Sequence, residues 1–231
     1  MNDLFPMPEI QRRAALEAAQ ARALQLFDAI EQAGLIAAGR SERAVEDDIR
    51  EIARRDFGVN NHWHRRIVRS GPNSITTAGD HPPSREIGAD DIVYVDLGPV
   101  FEGWEADIGK SYALGRDARK HTLVADLPRI FEIVQAHYRA TPGITGMALY
   151  DFAVAAAKKA GWIFGGSIAG HIVSEFAHAQ IAGDKDLTRI SPRNPGRMDD
   201  ADGQGRPRHW ILEIHLVAPD RSFGGFYERL L

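Results

Sequence analysis

The sequence has no cysteine, which excludes disulfide staples, thiolate nucleophiles and thiolate zinc sites. Charge of one sign never accumulates in long blocks and the net charge is only -4, so neither a nucleic-acid footprint nor a polybasic membrane patch is expected. No apolar run approaches a membrane span, and the N-terminal MNDLFPMPEIQRRAALEAAQ lacks a basic segment followed by an apolar stretch. The resulting expectation is a cytoplasmic protein whose partners are small molecules or peptides, with no nucleic acid and no membrane. What remains is ordinary globular usage. With 44% hydrophobic and 26% charged residues, disorder, collagen and coiled coil drop out, and 231 residues suffice for a sizeable core.

Between Pro8 and Gly34, Leu16, Ala19, Ala23, Phe27 and Ile30 recur at helical spacing, predicting an amphipathic helix that ends at a glycine. Ser41 reads as the N-cap of a second helix with Val45, Ile49, Ile52 and Ala53 inward, stopping near Gly58. IVYVDLGPV and the segment from Glu105 to Leu114 flank a reversal at FEG and predict a hairpin. A third helix is expected after Pro128, carrying Ile130, Val134 and Tyr138 until Pro142 and Gly143 break it. Thr145 caps a fourth that reaches Ala160 with Phe152 and Ala156 inward, and SIAGHIVSEF, HWILEIHLVA and GGFYERLL read as strands. GRS at 39–41 and GIT at 143–145 each precede a helix ending at a glycine, a faint sign of duplication. No linker divides the chain, so one α+β domain over residues 1–231 is expected. Its polar, Gly/Pro-rich loop 183–207 suits a lid or a substrate-facing role.

A two-residue turn at Phe101 and Glu102 would set Asp96 directly opposite Asp107, with Cβ atoms about 5 Å apart, where like charges are destabilising. A shared proton, an arginine or a bound cation would offset that repulsion; a different register with both side chains in water would avoid it. ILEIHL puts Glu213 in the middle of an apolar strand, where a lone carboxylate has a heavy desolvation cost, and FYERLL repeats the pattern with Glu228. An edge strand with its polar face in water is the alternative for each. AGHIVSEFAH places His171 in a strand and His178 seven residues later. Two Asp, two Glu and one neutral imidazole form an oxygen-rich set suited to two divalent cations in metal-assisted amide hydrolysis. Four carboxylates against two dications leave room for a hydroxide.

Taken in order, these residues resemble the pattern of the pita-bread metallopeptidases, which include methionine aminopeptidases, Xaa-Pro aminopeptidases and prolidases. That pattern is an Asp, a second Asp eleven residues on, a Gly-His with another His seven further along, a Glu in a hydrophobic strand and a Glu near the C-terminus. Here they are Asp96, Asp107, His171 with His178, Glu213 and Glu228. SGPNS at 70–74, DHPP at 80–83 and GADDIVYVDLG resemble the family's approach to the first ligand, and SGPNS and VDLG lie nearer the Xaa-Pro branch. The resemblance implies a pita-bread fold, with pseudo-twofold helix-strand halves around a curved antiparallel sheet. It further implies two divalent ions (manganese, cobalt, iron or zinc) bound by Asp96, Asp107, His171, Glu213 and Glu228. A bridging water or hydroxide would attack the scissile carbonyl of a peptide or small amide and Glu213 would relay its proton. His81 and His178 would contact the substrate amide and the developing oxyanion.

The chain departs from the family in having Ile214 after the first Glu, where Pro is frequent, and Ile108-Gly109-Lys110-Ser111 after the second Asp, where a Thr-Arg-Thr-like stretch is frequent. His62 and His64 alternate with Trp63 on an expected strand and are candidates to bind substrate. His215, on the face of Glu213, either supports the ligands or is a structural histidine. His121, His137 and His209 read as surface or packing residues, and a homodimer is admitted but not required. The function expected is release of an N-terminal residue by an Xaa-Pro aminopeptidase-like exopeptidase. The alternatives are a C–N hydrolase of a small metabolite, a methionine aminopeptidase or an inactive binding module on the same fold.

Overall fold

The computed structural model describes residues 7–178 and 184–231. The opening helices form as α1 (Glu9–Gln32), which buries the five apolar residues named above, and α2 (Glu42–Phe57). Ser41 caps α2 by accepting a hydrogen bond from the Ala44 amide, and Gly58 ends it in the left-handed region at φ 67°, where a Cβ would be strained. The third helix differs from expectation. α3 (Ala118–Ala140) starts well before Pro128, at an N-cap Asp117 that accepts from the Arg119 amide. Leu123 and Leu127 extend the buried stripe of Ile130 and Val134, and burial of that stripe outweighs the one hydrogen bond Pro128 cannot donate. α4 (Gly146–Lys159) is capped by Thr145 as expected. Its inward face is Leu149, Ala153 and Ala157, with Phe152 and Ala156 only partly buried at its flank.

Among the described residues nine strands occur, five between α2 and α3 and four after α4: β1 (Ile67–Ser70), β2 (Ile92–Leu97), β3 (Val100–Phe101), β4 (Trp104–Glu105), β5 (Ile108–Ala113), β6 (Ile163–Phe164), β7 (Gly170–Val173), β8 (His209–Val217) and β9 (Gly224–Leu230). Seven build one sheet in the order β1-β2-β5-β9-β8-β6, with β7 also paired to β8, and β3 with β4 forms a separate ribbon. Every pairing is antiparallel. The expected duplication is visible in this order. Each half supplies a helix pair and strands, the hydroxyls of Ser41 and Thr145 cap α2 and α4 at equal 3.1 Å bonds, and both residues make isolated bridges to later loops, Ser41 with Glu86 and Thr145 with Arg197. α1 and α2 pack on one part of the sheet, and α3 and α4 on the other. This is the pita-bread α+β fold.

The hairpin register differs by two residues from the expected one. Phe101 pairs with Trp104 across Glu102 and Gly103, both at positive φ (52° and 84°), so the turn sits one residue later than Phe101-Glu102. Asp96 therefore faces Gly109 rather than Asp107. Because side chains alternate with period two, a shift of two keeps Asp107 on the same face as Asp96 but places it diagonally. Gly109 itself has no room for a side chain: a Cβ would come within 2.5 Å of the Phe226 ring and 3.2 Å of Glu228 Cβ. Gly109→Val should therefore destabilise the fold by about 1–3 kcal/mol, read as a lower urea midpoint at unchanged slope; an unchanged midpoint would show that the β5–β9 contact is loose.

Candidate metal centre

The registers align one transverse row across the sheet. Asp96 on β2 pairs with Gly109 on β5, Gly109 with Glu228 on β9, and Glu228 with Glu213 on β8. Asp107, just before β5, and His171 on β7, opposite Ile211, join the same face one diagonal step away. Neighbouring positions of a row lie about 5 Å apart, so three acids and a glycine gap are set side by side by backbone pairing alone. The next row of that face carries Tyr94, Ser111, Phe226 and His215. Its rings pack with centroids 5.5 Å apart for Tyr94 and Phe226, and His215 donates from Nε2 to the Ser74 carbonyl at 3.0 Å. Asp96, Glu228 and Glu213 of the first row and Tyr94, Phe226 and His215 of the second line a cavity of about 630 Å³, within the range of small-ligand sites.

The acids are buried, at 6% exposure for Asp96 and 2% each for Asp107 and Glu228, and one oxygen of each (Asp96 Oδ1, Asp107 Oδ2, Glu228 Oε2) has no hydrogen-bond partner. His171 Nε2 stands 3.0 Å from Asp107 Oδ2, 3.6 Å from Glu213 Oε1 and 4.0 Å from Glu228 Oε1. In spite of the short first distance, Asp107 Oδ2 has no hydrogen-bond partner. Orphaned buried carboxylate oxygens are costly unless a cation meets them. Four carboxylates and an imidazole on one face are a hard-to-borderline donor set for divalent ions. The residues fit divalent cations.

Electrostatics without a cation reflect the same crowding. Burial, opposed next by His64 and aided by the Asp107 charge, raises Asp96 to about 7. Burial raises Glu213 to about 7 against the pull of His171, and burial with Asp107, Asp96 and Glu213 around it pushes Glu228 well above the ordinary carboxylate range. Asp107 goes the other way: burial raises it, but His171 and His64 together outweigh burial and hold it at about 2. The two imidazoles are lowered by burial yet end at about 9, His171 through Asp107 and Glu213 and His64 through Asp96 and Asp107.

The other expected site residues separate into two groups. His81 is exposed at the cavity wall, beside Thr76, Thr77 and Gly79. His178 lines it too, its ring stacked on His171 at 5.6 Å. Glu105, which sequence reasoning passed over, is fully buried and receives the His178 amide at 2.8 Å and the His178 Nδ1–H. Its place two residues before Asp107 was the available signal, since that spacing shares a strand face. His62 and His64 do not lie on a strand: the chain there forms bends with one isolated bridge, His62 to Pro99. Without strand alternation the two rings diverge. His64 enters the cavity beside Asp96 and Asp107, whereas His62 is absent from the cavity lining, with burial and Arg66 lowering it to about 4. SGPNS also stays outside the cavity lining, tied to the buried Glu42 through Ser70 and Asn73. Of the polar loop, Lys185, Thr188 and Arg189 line the cavity and Ile190 is pinned to β7 by bonds to Ala169 and Gly170; Gly183 lies outside the described residues. His121, His137 and His209 are not in the lining.

A pita-bread sheet with this acidic row defines a class of metal-dependent hydrolases, and the comparisons agree. The sequence matches metallopeptidase family M24 over residues 14–195, and the chain belongs to that family of hydrolases. The match includes Asp96, Asp107 and His171 and ends before Glu213 and Glu228, which the sheet registers bring beside them. No curated protein matches the chain by sequence. Among solved structures, a prolidase from Thermococcus sibiricus superposes with a TM-score of 0.71 at 21% identity, covering 95% of this chain and 55% of its own. An X-Pro aminopeptidase from Thermotoga maritima gives 0.71 at 21%, covering 96% and 58%. A methionine aminopeptidase from Thermotoga maritima gives 0.66 at 19%, covering 100% and 94%. The chain thus spans little more than half of the first two and nearly all of the third. No helix among the described residues is long and apolar enough to cross a membrane.

With cations removed, Asp96, Glu213, His64 and His171 all bind protons more tightly folded than unfolded. Their stabilisation is complete below the unfolded values, about 4 for the carboxyls and about 6.5 for the imidazoles, and is lost as pH rises through 7 and then 9. Asp107 acts in the opposite sense only below about pH 4. The melting temperature of chelator-treated protein should therefore fall from about pH 5 to about pH 8.5. A flat or rising profile would contradict the acidic cluster as drawn.

Proposed function

We propose that the chain is a metal-dependent exopeptidase that releases the N-terminal residue of Xaa-Pro peptides. The observation that carries this reading is the transverse row Asp96–Gly109–Glu228–Glu213 with Asp107 and His171 beside it, buried and with unpaired oxygens at the floor of a peptide-sized cavity. Asp96, Asp107, His171, Glu213 and Glu228 would hold two divalent cations, of manganese, cobalt, iron or zinc. Such ions supply Lewis acidity, lowering the pKa of a water and polarising a carbonyl. The Xaa-Pro preference is supported by the SGPNS and VDLG segments and by the kinship in fold to a prolidase and an X-Pro aminopeptidase.

The chain's own groups then divide the work. Glu213, on the cavity wall beside the other acids, accepts the proton of the attacking water and passes it to the leaving amine, as a positioned carboxylate can. His178, its Nδ1 fixed by Glu105, turns its other nitrogen to the cavity, where an imidazole donor stabilises the oxyanion. His81 contacts the substrate amide from the rim. Tyr94 and Phe226 form an apolar wall against which a residue flanking the scissile bond packs.

The test is release of the first residue from a panel of Xaa-Pro and Met-Xaa peptides. Activity should be restricted to Xaa-Pro members, vanish on chelation and with Asp107→Asn, and fall in kcat by about 10²–10⁴-fold with Glu213→Gln. Activity that survives both chelation and Asp107→Asn would defeat the proposal. Cleavage of no peptide by metal-loaded protein would move it to a C–N bond in a small metabolite.

A further inference from the structure

His64 and His171 occupy equivalent positions on either side of Asp107. His64 Nε2 lies 3.2 Å from Asp107 Oδ1 and 3.4 Å from Asp96 Oδ1; His171 Nε2 lies 3.0 Å from Asp107 Oδ2. Each ring turns its Nδ1 to the carbonyl of the next residue in the chain, Arg65 at 2.6 Å and Ile172 at 2.7 Å. A carbonyl only accepts, so Nδ1 carries the hydrogen in both, and both Nε2 atoms face carboxylate oxygens. That tautomer, fixed by a backbone carbonyl, is the one metal-ligating imidazoles adopt. Trp63 lies edge-on to both rings, with centroids 4.5 Å from His64 and 4.9 Å from His171.

The chain is built to admit His64 here. Its loop is stitched to the β2–β3 connection by Trp63 N–H to Gly98 O and Val100 N–H to Asn61 O, both at 3.0 Å. At Gly98 a Cβ would fall within 2.5 Å of His64 Nε2 and 2.6 Å of Trp63 Nε1, so any larger residue there would evict the ring. Asp96, buried to 6% exposure, aims the orphaned Oδ1 into the same space. Ligand atoms of two triads, His64 with Asp96 and Asp107 and Asp107 with His171 and Glu228, each come together within 4.8 Å.

From this geometry we infer that His64 is a sixth protein ligand of the centre, giving each of two cations one imidazole, with Asp107 between them. The inference rests on the two-cation reading proposed above and adds to it a nitrogen donor at the Asp96 end. An oxygen-only site at that end suits magnesium, calcium or manganese, whereas an added imidazole moves its choice toward iron, cobalt or zinc.

Mn2+ and Zn2+ titrations of metal-free wild type and His64→Ala, followed by calorimetry, test it. Wild type should bind two ions, and in the variant one of the two should bind at least about tenfold more weakly, with Zn2+ affected more than Mn2+. Two ions of unchanged affinity in the variant would overturn the inference and leave the two-cation reading standing; fewer than two in the wild type would overturn both. A second measurement needs no variant. In the Zn2+-loaded wild type, nitrogen-15 spectra of its nine histidines should show two with metal-bound Nε2 and protonated Nδ1, and one alone would overturn the assignment.

Discussion

Four carboxylates on one face of a buried sheet repel one another and have given up their water, and the rest of the structure is arranged around that constraint. Backbone pairing fixes three of them in a single row, so the side chains cannot relieve the strain by turning away to solvent. Two dications bound there, as proposed, would cancel four charges and supply partners for the orphaned oxygens, turning a destabilising cluster into a centre that binds. Protons on the acids and imidazoles do the same in part when cations are withheld, which is why their affinities shift upward except at Asp107, the acid flanked by two rings.

Precision at the centre comes from where side chains are missing as much as from where they are present. Gly109 leaves the gap in the acidic row that Phe226 and Glu228 close around, and Gly98 leaves the space that His64 and Trp63 fill. Around these, carbonyls of Arg65 and Ile172 set the imidazole tautomers, and Glu105 orients His178. Both helix pairs hold the sheet from behind through capped starts at Ser41 and Thr145, so the site stands on rigid elements, as a preorganised centre requires.

Much of this was legible in the sequence, because buried acids in apolar strands are chemically conspicuous. Glu213 and Glu228 followed from that contrast, and Asp96 with Asp107 followed from the chain reversal between them. The exact register did not, since it depends on which residues accept positive φ, and the turn chose Glu102 and Gly103. An error of two residues preserved the face and so did little harm. The NNHWHRR segment shows the opposite case: its alternation resembles a strand, but bends at Trp63 and His64 remove the periodicity, and only one histidine reaches the cavity. Pro128 misled for a similar reason, as a local signal that a long buried stripe outweighed. Glu42 could not be found at all from pattern, because its partners Ser70 and Asn73 lie far along the chain, whereas Glu105 left only its spacing to Asp107 as a sign.

The central claim is that the acidic row is a dication site, and anomalous scattering from crystals grown with Mn2+ tests it most directly. The account predicts two peaks on the sheet face, one to each side of Asp107, with Asp96 toward one and His171 and Glu228 toward the other. A map with no peak there, and these side chains turned to separate solvent, would contradict it.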